Sequence, residues 1–429
     1  MSELIQEIDA SAFSKVLASE KAVVVDFYSS ECPPCEALAP KYEALAAQYG
    51  RDVTFVKVFR QENRALADSL SVRGSPTVLF FQGGKEVGTR LTGGIKRSAL
   101  VQGLNALVGP TRAQAITATT KPVRTEADVL ILGGGPAGIT AGIYCAQAKL
   151  KTVMVDLGLG GGNLAITHQV SNFPGFPQPQ PGHMLAHYMV EHAKAAGVVP
   201  RLAAEVTGVD LREKTVELDG FETIRAQRVI VATGSSPRPI GVKGEQEFKG
   251  KGISYCATCD AKYFEGKHVI VIGGGNSAIE ESLFIARFAA KITIVHQFGT
   301  LQANKHAQEL AFAEKKIEFV FEHEPREFIS KSGKGVDAVV VEDLKTRTLR
   351  TLDCDGVFIF AGMRPNLDGL EGVLALDKWG YVVVDEDMRT SVPGVFAAGD
   401  VVSKRYRQMT TAVSDGTIAS MALAKDLAA

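Results

Sequence analysis

Asp128-Val-Leu-Ile-Leu-Gly-Gly-Gly-Pro-Ala-Gly-Ile139 decides how this chain folds. The apolar run Val129–Leu132 predicts a short buried strand, and a helix is expected beyond the glycines. Gly133, Gly135 and Gly138, with Pro136 and Ala137, form a turn in which the backbone can approach a pyrophosphate seated on the helix N-terminus. Such a glycine pattern alone is weak evidence. Here a strand precedes it and a helix follows. The next strand, Thr152–Val155, ends at Asp156, where a carboxylate holding a ribose diol is expected. The design recurs in His268-Val-Ile-Val-Ile-Gly-Gly-Gly-Asn-Ser-Ala-Ile-Glu280, with Gly273, Gly275, Asn276, Ser277 and Ala278 at the turn. Its following strand, Lys291–Val295, ends at His296. Counted from the first glycine of each loop, His296 takes the place of Asp156.

Between the loops stands Ser254-Tyr-Cys-Ala-Thr-Cys-Asp260. Cys256 and Cys259 form a CxxC pair, and Asp260 places a carboxylate directly after them. A second pair, Cys32-Pro-Pro-Cys35, lies near the N-terminus. Dithiols among dinucleotide sites point to electrons passing from nucleotide to flavin to disulfide to disulfide. The chain has 429 residues, enough for two to four domains. Its 45% hydrophobic and 22% charged content is ordinary for a globular protein. A net charge of −1 gives no reason to expect nucleic acid or an anionic membrane as partner. No apolar run approaches the ~20 residues of a membrane helix, and the start, Met-Ser-Glu-Leu, lacks signal-peptide regions. A cytoplasmic protein is expected, where CxxC pairs are more often catalytic or metal-binding than structural. A zinc site built from all four cysteines is the bland alternative. The distance between the pairs, in separate domains, argues against it, and no metal is expected. Cys145 and Cys354 stand alone and are expected to be small buried side chains.

In residues 1–108, Ala22–Tyr28 predicts a buried strand. Cys32 then opens a helical pattern through Leu38, Tyr42, Leu45 and Tyr49. A cysteine at a helix N-terminus meets unpaired N–H groups and the positive end of the dipole, which favour its thiolate. Cys32, leading the helix, is expected to be the exposed member of its pair. Further strands are expected at Val53–Phe59, Thr77–Phe81 and Glu86–Leu91, and helices at Ser11–Ala18, Glu62–Leu70 and Lys96–Leu107. Residues 109–127 lack a helical or strand period and predict a flexible tether, which would hold the first domain at an effective concentration in the millimolar range.

This first unit resembles thioredoxin. The resemblance implies a buried proton-transfer carboxylate at Asp26, a neighbouring lysine at Lys57, and a cis-proline at Pro76 facing the dithiol. It departs from the family in Glu31-Cys-Pro-Pro-Cys, which lacks the usual tryptophan and adds a negative charge that should raise the Cys32 pKa.

The remaining ~300 residues resemble low-molecular-weight thioredoxin reductases. The matching motifs are the first glycine loop, Gly162, Asn163 and Leu164, the segment opening at Asn172, Thr233 and Gly234, the Cys256–Asp260 stretch, Gly362-Met-Arg-Pro-Asn366, and Gly399 with Asp400, followed by Arg407 and Gln408. The resemblance implies an α/β chain: a thioredoxin fold plus two Rossmann-like units. An FAD-binding domain (128–237 and 365–429) would hold an inserted pyridine-nucleotide and CxxC domain (238–364). It further implies FAD on the first loop and Asp400, a nicotinamide nucleotide on the second loop, a homodimer, and a large rotation of the inserted domain. Cys259 would face the flavin. Cys256 would attack the Cys32–Cys35 disulfide of the chain's own thioredoxin domain, in cis or in the dimer mate, and protein disulfides would follow. Cys35 would resolve the mixed disulfide.

The electron donor stays open. The family's HRRxxxR is His296-Gln-Phe-Gly-Thr-Leu-Gln302 here, without the arginines that grip the 2′-phosphate of NADPH. NADH or relaxed NAD(P)H use is favoured. NADPH held by Lys305 and a ferredoxin or deazaflavin donor are the other readings. A peroxiredoxin reductase and a non-catalytic flavin sensor are the alternative functions. The former carries two thioredoxin folds at its N-terminus, where one fits here.

Overall fold

A computed structural model describes residues 4–19, 21–167, 169–370 and 372–428. The N-terminal unit is a five-stranded sheet in the order Ile5–Glu7, Val53–Phe59, Ala22–Tyr28, Thr77–Gln82, Lys85–Thr92. The first three strands run parallel and the last two antiparallel. Alternate residues of Ala22–Tyr28 serve opposite faces, as the two-residue period of a strand requires. Val24 joins Leu38, Tyr42 and Leu45 of the helix Pro33–Tyr49, with Leu100 and Leu104 of Arg97–Val108. Val23, Val25 and Phe27 pack with Phe13 and Ala67 on the other side.

The stretch expected to be a tether is ordered. Pro110–Thr119 is a helix, and a strand begins at Val123 rather than near Asp128. Pro110 suits a first helical turn, where its missing N–H costs nothing. Ile116 is buried in the core of the N-terminal unit, and Arg112 makes a two-point ion pair with Asp52. Two apolar positions, Ala113 and Ile116, suffice to dock the helix but set up no visible period.

The second unit is a seven-stranded sheet whose central strands, Thr152–Val155, Val123–Leu132 and Glu222–Val231, run parallel. Val199–Arg201 extends it on one side, and Val395–Ala397 pairs with the end of Glu222–Val231. Helix Pro136–Gln147 and the C-terminal helix Met409–Ala428 cover one face. They approach closely because Gly416 has no side chain: a Cβ there would lie 2.2 Å from the Ala137 carbonyl oxygen.

The third unit has a five-stranded parallel sheet, in the order Ile253–Ser254, Gly356–Ile359, His268–Ile272, Lys291–His296, Ile317–Phe321, beside a three-stranded antiparallel one. The chain enters and leaves it through one antiparallel ribbon, Ser235–Pro237 against Met363–Pro365. Asn366 ties the ribbon's base: its Nδ2 donates to the Thr233 carbonyl at 3.0 Å, and its own carbonyl accepts from Thr233 Oγ1 at 2.6 Å. No helix among the described residues is long and apolar enough to cross a membrane.

Candidate active site

Both CxxC pairs are disulfides, Cys32–Cys35 and Cys256–Cys259. Each opens a helix, and in each the first sulfur caps it. Cys32 Sγ accepts the Cys35 N–H at 3.3 Å, and Cys256 Sγ accepts the Cys259 N–H at 3.2 Å. On reduction these sulfurs lie where backbone N–H groups stabilise a thiolate.

Cys32 is not the exposed member of its pair. It is 7% exposed and Cys35 8%. Its sulfur lies 3.6 Å from the Ser75 carbonyl oxygen, on the loop whose Ser75–Pro76 bond is cis. Asp26 stands in register with Lys57 between two strands, buried, with Oδ1 unpartnered. Burial lifts its carboxyl to about 7, against the pull of Lys57.

In the other pair Cys259 is exposed and Cys256 half-buried. The preceding segment is fixed by Glu245, which accepts N–H groups of Ile240 and Gly241 and the Tyr255 hydroxyl. Asp260 is part-exposed at the end of the short helix, its N–H on the Cys256 carbonyl. That helix packs against Asn276–Ile285. Each of these two helices carries a buried polar atom without a hydrogen-bond partner, Thr258 Oγ1 on the first and Glu281 Oε2 on the second. Burial first, then Glu280, raises the Glu281 carboxyl to about 7. Glu281 was missed in the sequence. Its position three residues after Ala278 and four before Ile285, both buried, is the signal that could have found it.

The first glycine loop is closed by sterics. A Cβ at Gly138 would lie 1.9 Å from the Gly133 carbonyl oxygen. Gly135 caps helix Pro136–Gln147, and no side chain caps its first turn. Asp156 is turned onto the loop: Oδ2 accepts the Gly134 N–H at 2.6 Å and Oδ1 the Gly158 N–H at 2.7 Å. Gly162, Asn163 and Leu164 form a short turn, with Asn163 Nδ2 on the Ser235 carbonyl. Asp400 is largely buried beside Lys404, its Oδ1 without a hydrogen bond, and burial raises its carboxyl. Gly399 donates its N–H to Asp415. Arg407, offered by sequence as a cofactor ligand, donates to the carbonyls of Asp400, Val402 and Lys404 and lies 3.7 Å from the Tyr381 ring centroid. Gln408 pairs with Asn172 at 3.4 Å. Thr233 and Gly234 stand at the ribbon base, where Gly234 accepts the Asn366 N–H.

The second loop repeats the first. Gly275 caps Asn276–Ile285, again without a side-chain cap. Ala278 is buried and Ser277 exposed. Gly273 crosses the Phe360 carbonyl, which a Cβ would approach to 2.4 Å. The His296 ring lies on Gly274, where a Cβ would meet it at 2.5 Å. His296 is buried, its Nε2 has no partner, and burial lowers its pKa, so the ring is neutral at pH 7. Asn276 Oδ1 accepts the Asn304 N–H at 2.7 Å, which pins the exposed Lys305 near this loop. Among the described residues no group of three His, Cys, Asp or Glu could hold a metal. Cys145 and Cys354 are buried free thiols.

Two disulfides, each opening a helix, in a chain with two uncapped nucleotide turns define a nucleotide-linked dithiol oxidoreductase. Comparison with known proteins agrees. Residues 127–416 match the pyridine nucleotide-disulphide oxidoreductase family, and residues 4–106 match thioredoxin. Thioredoxin reductase of Peptoclostridium acidaminophilum is 41% identical over 301 residues, 68% of this chain and 94% of that one. That of Bacillus subtilis is 40% identical over 296 residues, 69% of this chain and 93% of that one. The crystal structure of Lactococcus lactis thioredoxin reductase superposes with a TM-score of 0.67 at 35% identity, covering 70% of this chain and 99% of that one. The chain belongs to the thioredoxin reductases of the pyridine nucleotide-disulphide oxidoreductase family, with a thioredoxin domain at its N-terminus.

Membership implies FAD and a nicotinamide nucleotide. The residues fit both. The first loop offers an uncapped helix end and, at Asp400, a buried oxygen that faces Lys404 at 3.8 Å but accepts no hydrogen bond. The second offers the same helix end beside an imidazole whose Nε2 has no hydrogen-bond partner.

Proposed function

We propose that this chain reduces its own thioredoxin domain, and through it protein disulfides, with electrons from NADH or from either nicotinamide nucleotide. The observation that carries the reading is the pairing of two disulfides, each with its first sulfur at a helix N-cap, in one chain with two open nucleotide turns. The functional division is 1–108 for the thioredoxin domain, 128–237 with 365–429 for the FAD domain, and 238–364 for the inserted domain. The protein works as a homodimer in a reducing, cytoplasmic compartment.

Gly133, Gly135, Pro136, Ala137 and Gly138, with Asp156 and Asp400, would hold FAD. Bound FAD supplies the two-electron relay between a nicotinamide hydride and sulfur. The Cys256–Cys259 disulfide accepts the pair, and Asp260 holds and returns the proton that dithiol formation needs. Cys256 is the nucleophile because its sulfur sits at the helix N-cap, not because of its exposure. Its thiolate attacks Cys32, a Cys256–Cys32 bond forms, and Cys35 leaves as thiolate. Asp26, protonated below about pH 7, gives Cys35 its proton. Cys259, and not Cys35 as expected from the sequence, then attacks Cys256, displaces Cys32 and restores its own disulfide, because attack by Cys35 would only reverse the exchange. The inserted domain pivots on the ribbon at Thr233 and Asn366 between these steps.

The donor preference rests on the second loop. Without arginines after His296, two or three charge-assisted bonds to a 2′-phosphate are lost, each worth roughly 1.5–3 kcal/mol. A neutral imidazole suits a ribose hydroxyl. Stopped-flow bleaching of the flavin with NADH and with NADPH separately tests this. NADH should bleach at least as fast as NADPH. Fast bleaching by NADPH alone, or by neither, overturns the donor assignment.

A further inference from the structure

The thioredoxin domain does not stand apart from the FAD unit. One face of helix Pro33–Tyr49, running on from Cys35, lies against the segment that follows strand Val199–Arg201. Lys41 crosses the seam: its Nζ donates to the Ile95 carbonyl at 3.1 Å on its own side and to the Ala203 carbonyl at 2.6 Å on the other. The Lys41 ammonium is buried, which lowers its pKa, while Asp219 and Glu205 across the seam pull it back up. Around it Glu36 meets Lys194 at 2.5 Å, the N–H and Oγ of Ser98 both donate to Glu205, and Arg97 lies 4.4 Å over the Phe221 ring. Ala37 is buried and belongs to the same apolar cluster as Val198 and Leu202 of the FAD unit.

The carbonyl that Lys41 grips belongs to a residue three hydrogen bonds from the nucleotide loop. Ala203, held at φ +49°, donates its N–H to the Gly158 carbonyl at 2.6 Å. Gly158 donates to Asp156 Oδ1, and Asp156 Oδ2 accepts from Gly134 in the first glycine turn. Ala204 donates to the Asp156 carbonyl. A continuous line of hydrogen bonds thus runs from the helix that Cys32 opens to the acid on the ribose side of the dinucleotide turn.

We propose that the docked thioredoxin domain is a clamp on the adenosine end of the FAD site, with Lys41 as the positioning residue that joins docking to cofactor retention. The proposal rests on FAD occupying the Gly133–Gly138 turn. Docking orders the Gly158–Ala203 strap, the strap orders Asp156, and FAD bound there favours docking by the same factor, since coupling between two sites is reciprocal.

The test uses the full-length chain and reads FAD release as the rise of free-flavin fluorescence after dilution. Lys41→Met keeps the stem and removes the ammonium. A hydrogen bond from a charged group is worth roughly ten- to a hundredfold in an equilibrium, and FAD release should quicken by about that factor. A second variant pins the dock. A Cβ at Gly94 would lie 3.8 Å from Ala203 Cβ, the spacing of a disulfide. Gly94→Cys with Ala203→Cys, oxidised and checked by mass, should slow FAD release and cancel the effect of Lys41→Met. Release that is the same in wild type, Lys41→Met and the stapled chain overturns the clamp. Fast release in Lys41→Met that the staple does not correct overturns it too, because the lysine would then act only on local folding. A wild-type chain that takes up no FAD fails the assignment of the glycine turn itself, a different result from an unchanged rate.

Discussion

Asp26 should make the thioredoxin domain less stable as pH rises, and Asp26→Asn should abolish that trend. The carboxyl is 1% exposed, has one unpartnered oxygen, and titrates at about 7 instead of the ordinary 3.8. The folded domain therefore holds a proton between those values that the unfolded chain has released. Stability from this group is complete below the unfolded value and is lost as pH rises through the folded one. A shift of about three units corresponds to about 4 kcal/mol, an upper bound where solvent reaches the site. Asparagine stays neutral, so the variant should gain on wild type from pH 4 to pH 7 and hold the gain above. Hydrogen exchange of the amides in Ala22–Tyr28 and Val53–Phe59, compared between the two chains at each pH, reports the difference while the intrinsic exchange chemistry cancels. Wild type should exchange up to about a thousandfold faster at pH 8 and equally at pH 4. A ratio that does not change with pH refutes the argument.

Glu281→Gln should act the same way on the inserted unit. Its carboxyl is raised from 4.5 to about 7 by burial and by Glu280, so wild type should lose up to about 3 kcal/mol across that window and the variant nothing; exchange in His268–Ile272 that differs equally at pH 4 and pH 8 would contradict it. Gly138→Ala should empty the first turn of flavin, since the added methyl would lie 1.9 Å from the Gly133 oxygen; occupancy below about a tenth of wild type, read from the absorbance ratio, is expected, and normal flavin content would falsify the steric reading.

The two nucleotide turns and both dithiols were legible in the sequence because their chemistry is local. Gly138 is needed by its contact with the Gly133 carbonyl five residues earlier, and a CxxC pair carries its own spacing. His296 could be aligned with Asp156 by counting, and the structure stacks it on Gly274 just as Asp156 reaches Gly134. Other features were hidden because their partners are distant. Lys41 and Glu36 resemble any charges on a solvated helix face, and nothing near them shows that the Ala203 carbonyl, 162 residues away, will bury the lysine. Arg407 matched a cofactor motif, and the motif gave no sign that three of its N–H groups would meet carbonyls of its own loop. Helix Pro110–Thr119 escaped because two docked residues in a threonine-rich stretch leave no period to detect.

That helix also governs how far the thioredoxin domain can travel. Its ten residues span about 15 Å while coiled and ~35 Å when drawn straight. Some 20 Å of leash is therefore wound up on the side of the domain it restrains, paid out only when Ile116 leaves its socket and Arg112 lets go of Asp52. Excursions of the carrier from its berth are metered by the melting of one short coil, so its reach depends on temperature and denaturant in a way that a slack string would not show.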